Sequence, residues 1–176
     1  MHLHRGNLFL VGLPGAGKST LGRQLARRLG KRFLDCDTEL ETRLGVTIPV
    51  IFEIEGEASF RDREGNLLAE LVQHAGIVLA TGGGVVLRPE NREQLRLNGT
   101  VVYLDAQPEA LVERTRRSRH RPLLNTPDLL GRLNELHAKR DALYRETADV
   151  VLPSDREQIS RFAQQLEAAQ RDALRA

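Results

Sequence analysis

A chain of 176 residues with 40% hydrophobic and 28% charged side chains has the composition of one soluble globular domain, long enough to bury roughly 70% of its unfolded surface. One cysteine, Cys36, excludes an intrachain disulfide, and a formal net charge of +2 is too small to argue for a nucleic-acid partner. No stretch approaches membrane-spanning length, and the only early apolar run, Leu8 to Val11, is too short for a secretion signal, so a cytoplasmic location is expected.

Met1 to Asn7 reads as a polar lead-in without features. Leu8 to Val11 then forms a short strand that runs into Gly12-Leu13-Pro14-Gly15-Ala16-Gly17-Lys18-Ser19-Thr20, after which Leu21, Leu25 and Leu29 recur at helical spacing. Strand, glycine-rich loop and helix in this order make a phosphate loop. Its glycines let backbone N–H groups turn inward around phosphate oxygens, and the helix adds its positive end. Lys18 is placed to reach the β- and γ-phosphates, and the Ser19 hydroxyl to ligate Mg²⁺. Gly15, Ala16, Gly17, Lys18, Ser19 and Thr20 are therefore the expected nucleoside triphosphate site.

Gly30 is the expected end of that helix, and Arg32-Phe33-Leu34 a second strand leading into Asp35-Cys36-Asp37. If the strand alternation persists, both aspartates face one way at the carboxyl edge of the sheet, where open α/β sheets bind ligands. The plainer alternative is that Asp37 caps a helix starting at Thr38. Cys36 suits packing better than nucleophilic chemistry. Gly45 ends a short helix, Thr47 starts another, and Ile51, Phe52 and Ile54 are expected core contacts. Glu55-Gly56-Glu57 interrupts it before a longer helix whose apolar face is Phe60, Leu67, Leu68, Leu71 and Val72. By default, the tetrad Arg61-Asp62-Arg63-Glu64 on that helix is a solvated face.

Ile77 to Ala80 is a continuous apolar strand running into Thr81-Gly82-Gly83-Gly84, where either a tight turn or the close approach of a ligand or backbone needs the glycines. No aspartate ends this strand to hold a metal's water shell, which leaves Asp35 as the nearest candidate. Pro89 opens a helix, Asn98-Gly99 turns the chain, Thr100 to Leu104 is a fourth strand, and Pro108 to Arg114 is helical. Arg114 to Arg121 is the densest basic run. It reads as a solvated loop, as a nucleic-acid patch that lacks interleaved aromatics, or, beside a phosphate loop, as a mobile lid bringing guanidinium to the transferring group. Leu129, Leu133, Leu136, Ala138 and Leu143 mark a helix carrying Lys139, Arg140 and Tyr144. Val150 to Leu152 is a fifth strand, and Ser154-Asp155-Arg156-Glu157 a capping box opening a last helix. Strands alternating with helices imply a single domain over 1–176, a three-layer α/β/α sandwich around a five-stranded parallel sheet.

Six blocks in order carry a more specific likeness: GLPGAGKST at Gly12 to Thr20, the D-x-D of Asp35 and Asp37, IFEIEGEASFR from Ile51 to Arg61, TGGG from Thr81 to Gly84, RPLL from Arg121 to Leu124, and KRDALYR from Lys139 to Arg145. From Leu8 to about Leu152 the chain resembles the shikimate kinases. That resemblance implies a P-loop kinase related in fold to the nucleoside monophosphate kinases, with a lid over about 114–127 and substrate-binding helices over about 38–74. It implies transfer of a phosphoryl group from ATP to the 3-hydroxyl of shikimate, in aromatic amino-acid biosynthesis by way of chorismate. It further implies that Asp35 lies near Mg²⁺ through water while Asp37 bonds the shikimate hydroxyls and is a candidate base. By the same likeness Arg61 and Arg140 hold the substrate carboxylate, Gly83 offers its backbone, Arg121 reaches the ATP phosphates and Arg114 packs on adenine. Lys18, Asp37 and Arg121 are then the catalytic set. Cys36 stands where the family usually has a small polar residue, and Arg116 to His120 is unusually arginine-rich. Shikimate and ATP are the expected partners of a monomer that binds neither nucleic acid nor membrane. A gluconate or nucleotide kinase would not need both Arg61 and Arg140 on one carboxylate. A nucleic-acid-binding protein would show steep salt dependence instead.

Overall fold

Strand β1 (Leu8–Val11) is the centre of the molecule: all four of its residues are buried, so both faces of the sheet are covered along its length. The structure is a computed structural model that describes residues 6–115 and 124–174. Around β1 lie β2 (Arg32–Asp35), β3 (Ile77–Ala80), β4 (Thr100–Asp105) and β5 (Val150–Pro153), in the order β2-β3-β1-β4-β5 with every pairing parallel. The register aligns Asp35 with Ala80 and Ala80 with Leu10. The D-x-D, the triple glycine and the phosphate loop therefore leave the sheet side by side at its carboxyl edge.

Among the described residues the helices are α1 (Lys18–Leu29), α2 (Cys36–Leu44), α3 (Ile48–Leu71), α4 (Pro89–Asn98), α5 (Pro108–Thr115), α6 (Leu129–Thr147) and α7 (Arg156–Ala173). Helices α1 and α7 pack on each other, whereas α3, α4, α5 and α6 form a second connected group, with the sheet between the two. Gly56, at φ 79 and ψ 175, kinks α3 where the sequence pattern breaks. Phe60, Leu67, Leu68, Leu71 and Val72 are buried as their spacing predicts.

Three expectations are corrected. Ile54 is 75% exposed, because the kink two residues later turns its side chain away from the core that Ile51 enters. Ala138 is exposed on α6, since the buried stripe there runs through Leu133, Leu136, Arg140 and Tyr144. Asn7, part of the supposedly featureless lead-in, is fully buried. Its Nδ2 donates to the His74 carbonyl at 2.7 Å and the Asn98 carbonyl at 3.2 Å, while its Oδ1 accepts from the Ile77 N–H at 3.1 Å. One amide thus ties together the entries to β3 and β4 beside β1, satisfying backbone groups that burial would otherwise leave unpaired.

Candidate active site

At the carboxyl edge opens a cleft of about 1030 Å³, lined by the phosphate loop, both aspartates, Arg61, Gly82 to Gly84, Arg114 and Arg140. Its first wall is main chain. Gly17 precedes α1 in a left-handed conformation, φ 97, which a side chain would strain. No side chain caps the first turn and no acidic residue sits in it, so the positive end of α1 faces the cleft uncompensated. Lys18 is nearly buried, and its Nζ donates to the Gly12 and Leu13 carbonyls at 2.6 and 2.9 Å. Ser19 Oγ donates to Asp35 Oδ2 at 2.5 Å. A hydroxyl and a carboxylate side by side, next to a phosphate loop, are the hard oxygen donors that Mg²⁺ selects.

Asp35 also caps α2. Its Oδ1 accepts from the Asp37 N–H at 3.0 Å and the Thr38 N–H at 3.1 Å. This corrects two expectations at once: the strand ends at Asp35, so alternation does not place Asp37, and the capping residue is Asp35 rather than Asp37. Asp37 reaches the cleft from the first turn of α2. Burial, then the nearby Asp35 and Glu64 carboxylates, push its carboxyl up to about 6, against the opposing pull of Lys18. Buried Cys36 lies among the same carboxylates, and desolvation drives its thiol well above its ordinary value, which leaves it an inert packing residue.

The opposite wall is built from long side chains. Arg61 on α3 and Arg140 on α6 are 8% and 4% exposed. The charged tetrad divides by helical geometry: Arg61 and Glu64 turn inward, whereas Asp62 and Arg63 stay on the surface in pairs with Arg88 and Glu55. Arg61 Nη1 donates to Glu64 Oε1 at 2.8 Å and Nη2 to Glu57 Oε1 at 3.3 Å. Arg61 Nε and Glu64 Oε2 are buried without a partner. The Arg140 guanidinium is pushed below its ordinary pKa, chiefly by burial and further by the charge of Arg61. Two cations sharing one wall repel each other, and an anion between them relieves that repulsion.

The triple glycine is explained by close approach rather than by turn geometry alone. A Cβ on Gly84 would lie 2.3 Å from Arg61 Nη2, one on Gly82 2.6 Å from Glu64 Oε2, and one on Gly83 2.9 Å from Pro14 Cδ. At the far end of the cleft, Arg114 Nη1 donates to Ser154 Oγ at 2.9 Å, and Ser154 Oγ donates to the Ala16 carbonyl at 2.7 Å. Ser154 is thus a bridge to the phosphate loop and not the first residue of a capping box: Asp155 caps α7, its Oδ1 accepting from the Gln158 N–H at 2.8 Å. Arg121 and the core of the expected lid lie outside the described residues.

The family model described as shikimate kinase matches residues 14–170. The chain belongs to the shikimate kinase family. A shikimate kinase of Thiobacillus denitrificans is 58% identical over 156 residues, covering 89% of this chain and 85% of the relative. One of Cupriavidus pinatubonensis is 56% identical over 163 residues, covering 93% and 85%. Among solved structures, shikimate kinase from Acinetobacter baumannii in complex with shikimate superposes with a TM-score of 0.87 at 45% identity, over 94% of this chain and 91% of that one.

Within this shikimate kinase fold, Lys18, Ser19, Asp35, Asp37, Arg61, Gly83, Arg114 and Arg140 all line one cleft. Glu57, Glu64 and Ser154 are contributors to which sequence reasoning gave no role at the site. Glu64 had a usable signal, since it stands three residues after Arg61 and so shares its helix face. Ser154 had none, because its partners are 40 and 138 residues away.

Proposed function

We propose that the chain transfers the γ-phosphoryl group of ATP to the 3-hydroxyl of shikimate. The observation that supports this most is the pair of buried guanidiniums, Arg61 and Arg140, facing the same cleft as a phosphate loop. Arginine offers a carboxylate two parallel N–H donors, which lysine does not. The acid is held by Arg61, Arg140 and the backbone of Gly83, with its ring hydroxyls toward Asp37. The triphosphate lies on the amides of Gly15 to Thr20, with Lys18 leaving the loop carbonyls for the β- and γ-phosphates.

The 3-oxygen forms its bond to the γ-phosphorus as the bond from phosphorus to the β,γ-bridging oxygen breaks, and the hydroxyl proton passes to Asp37. A carboxyl raised to about 6 is matched to that task near neutral pH, being ionised yet basic enough to take the proton. Ser19 would hold Mg²⁺ directly and Asp35 through water, and the ion would supply charge neutralisation for the phosphates. Arg121 is assigned to the ATP phosphates and Arg114 to the adenine. On this reading the protein acts as a monomer on two small molecules. Among the described residues no helix is long and apolar enough to cross a membrane.

The test is ADP release from MgATP by the purified protein, with shikimate, quinate, gluconate and AMP as parallel acceptors. Release that requires shikimate is expected. Release with gluconate or AMP instead, or with no acceptor giving any, overturns the assignment.

A further inference from the structure

Tyr144 is 0% exposed, yet it carries a hydroxyl into the core. That hydroxyl donates to the Gly83 carbonyl at 2.5 Å, across 61 residues of sequence. The ring stacks on Tyr103 with centroids 4.9 Å apart, and the Tyr103 hydroxyl in turn donates to Asp141 Oδ1 at 2.8 Å. Arg145 spans Asp141 and Asp105 at 2.9 and 2.7 Å, so the two carboxylates near His137 are already occupied by a guanidinium and brace the back of α6 against β4. The phenol is therefore held from behind, and its hydroxyl meets both the Gly83 carbonyl and the Arg140 guanidinium, with which it also shares a hydrogen bond.

Gly83 is where three parts of the cleft meet. A Cβ there would press on Pro14 of the phosphate loop at 2.9 Å and reach Arg140 Nη1 at 3.4 Å. Arg140 precedes Tyr144 by one helical turn, so guanidinium and phenol project from the same face of α6. Because a peptide is planar and trans, fixing the Gly83 carbonyl toward α6 also fixes the Gly84 N–H on the opposite side. Glycines resist such ordering, since without a Cβ the backbone has many conformations of similar energy. Burial pushes the phenol up to about 12 against the pull of Arg140, so it remains a donor throughout the working pH range.

We infer that Tyr144 is a positioning residue for the acid substrate, whose hydroxyl locks the Gly83–Gly84 peptide in register with the Arg140 guanidinium on the same helix face. This rests on the function proposed above, but the bond itself is a property of the substrate-free protein. A tyrosine present only to fill the core would tolerate phenylalanine without functional change.

The experiment compares wild type with Tyr144→Phe by steady-state kinetics and by ¹⁵N-resolved amide spectra without substrate. The variant is expected to raise the KM for shikimate about tenfold, the size of one lost hydrogen bond, with the KM for ATP within about twofold of wild type. In the spectra, Gly83 and Gly84 resonances are expected to shift and their amides to exchange faster with water, while Tyr103 and the phosphate loop stay in place. An unchanged shikimate KM, or equal rises for both substrates, overturns the inference. Should wild type fail to use shikimate, the proposed function falls by itself and the spectra decide: unmoved Gly83 and Gly84 resonances in Tyr144→Phe overturn the positioning role. If Tyr144→Phe is less stable than wild type, Tyr144→Leu, which loses the ring packing as well as the hydroxyl, separates the two effects: a shikimate KM that stays near wild type in phenylalanine and rises only in leucine also overturns it.

Discussion

On the function proposed above, the two ends of the cleft solve the same problem, holding an anion, with different materials. At the nucleotide end the positive charge is carried by backbone amides, a helix terminus and one nearly buried lysine, Lys18, all within one uninterrupted stretch, Gly12 to Thr20. At the acceptor end the charge sits on two nearly buried guanidiniums from separate helices, α3 and α6, supported by Glu57 and Glu64 and admitted by Gly82 to Gly84. The first arrangement needs only a local turn. The second exists only after the sheet has brought α3, α6 and the β3 edge together, and it leaves Arg61 Nε and Glu64 Oε2 buried without a partner.

This difference is open to direct attack. Lys18→Ala removes the one side-chain cation that the nucleotide end contributes from within its own loop. We expect kcat/KM to fall roughly 10³-fold or more, a loss of about 4 kcal/mol in transition-state stabilisation, with the fold intact by circular dichroism. Near-normal turnover would mean that the backbone nest suffices alone. Arg140→Ala should instead raise the KM for shikimate by about 30- to 100-fold, on the order of 2–3 kcal/mol for a buried charge pair that loses one partner, while the KM for ATP stays near wild type. Equal rises for both substrates would erase the distinction between the two ends.

The same contrast explains what could be read from the sequence. The phosphate loop was legible because its residues are contiguous and each has one physical task; β1, α1 and the Gly30 cap followed from it. The strand and helix alternation carried the sheet class, since β1 and β3 are uninterrupted apolar runs. Ile54 and Ala138 misled because apolar spacing does not register a kink or a polar residue recruited into a buried stripe. At the acceptor end, Arg61 and Arg140 were singled out only through resemblance, and charge patterning alone would have left them on the surface, whereas both are buried and line the cleft. Ser154 and Tyr144 were illegible in their roles: a short hydroxyl beside an aspartate looks like a helix cap, and a tyrosine on a helix looks like core. What decides both is a tertiary partner, which no local rule contains.

Asp37 sits where the two ends meet, and its titration gives the smallest but most diagnostic effect. Its folded carboxyl is raised to about 6 from an ordinary 3.8, with burial the main cause and Asp35 and Glu64 adding to it. Between about pH 4 and pH 6 the native protein therefore holds a proton that the unfolded chain has released. Stability contributed by this group is fully present below about pH 4 and is lost as pH rises through about 6. Because the side chain is only half-buried and opens to the cleft, the loss should be about 1–2 kcal/mol, less than full conversion of the shift implies. Asp37→Asn should remove that slope, so chemical denaturation of the substrate-free variant should show it gaining on wild type from pH 4 to pH 7; a constant difference would mean that the carboxyl is not raised. Activity runs the other way, since proton acceptance needs the ionised form: kcat/KM for shikimate should fall about tenfold per pH unit below 6 in wild type. If the residual activity of Asp37→Asn kept that acid limb, another group would carry it. Opposite pH trends in stability and turnover, both abolished by one substitution, are what a carboxylate held against its own solvation for the sake of the acceptor should produce, and nothing in the backbone-built nucleotide end would yield them.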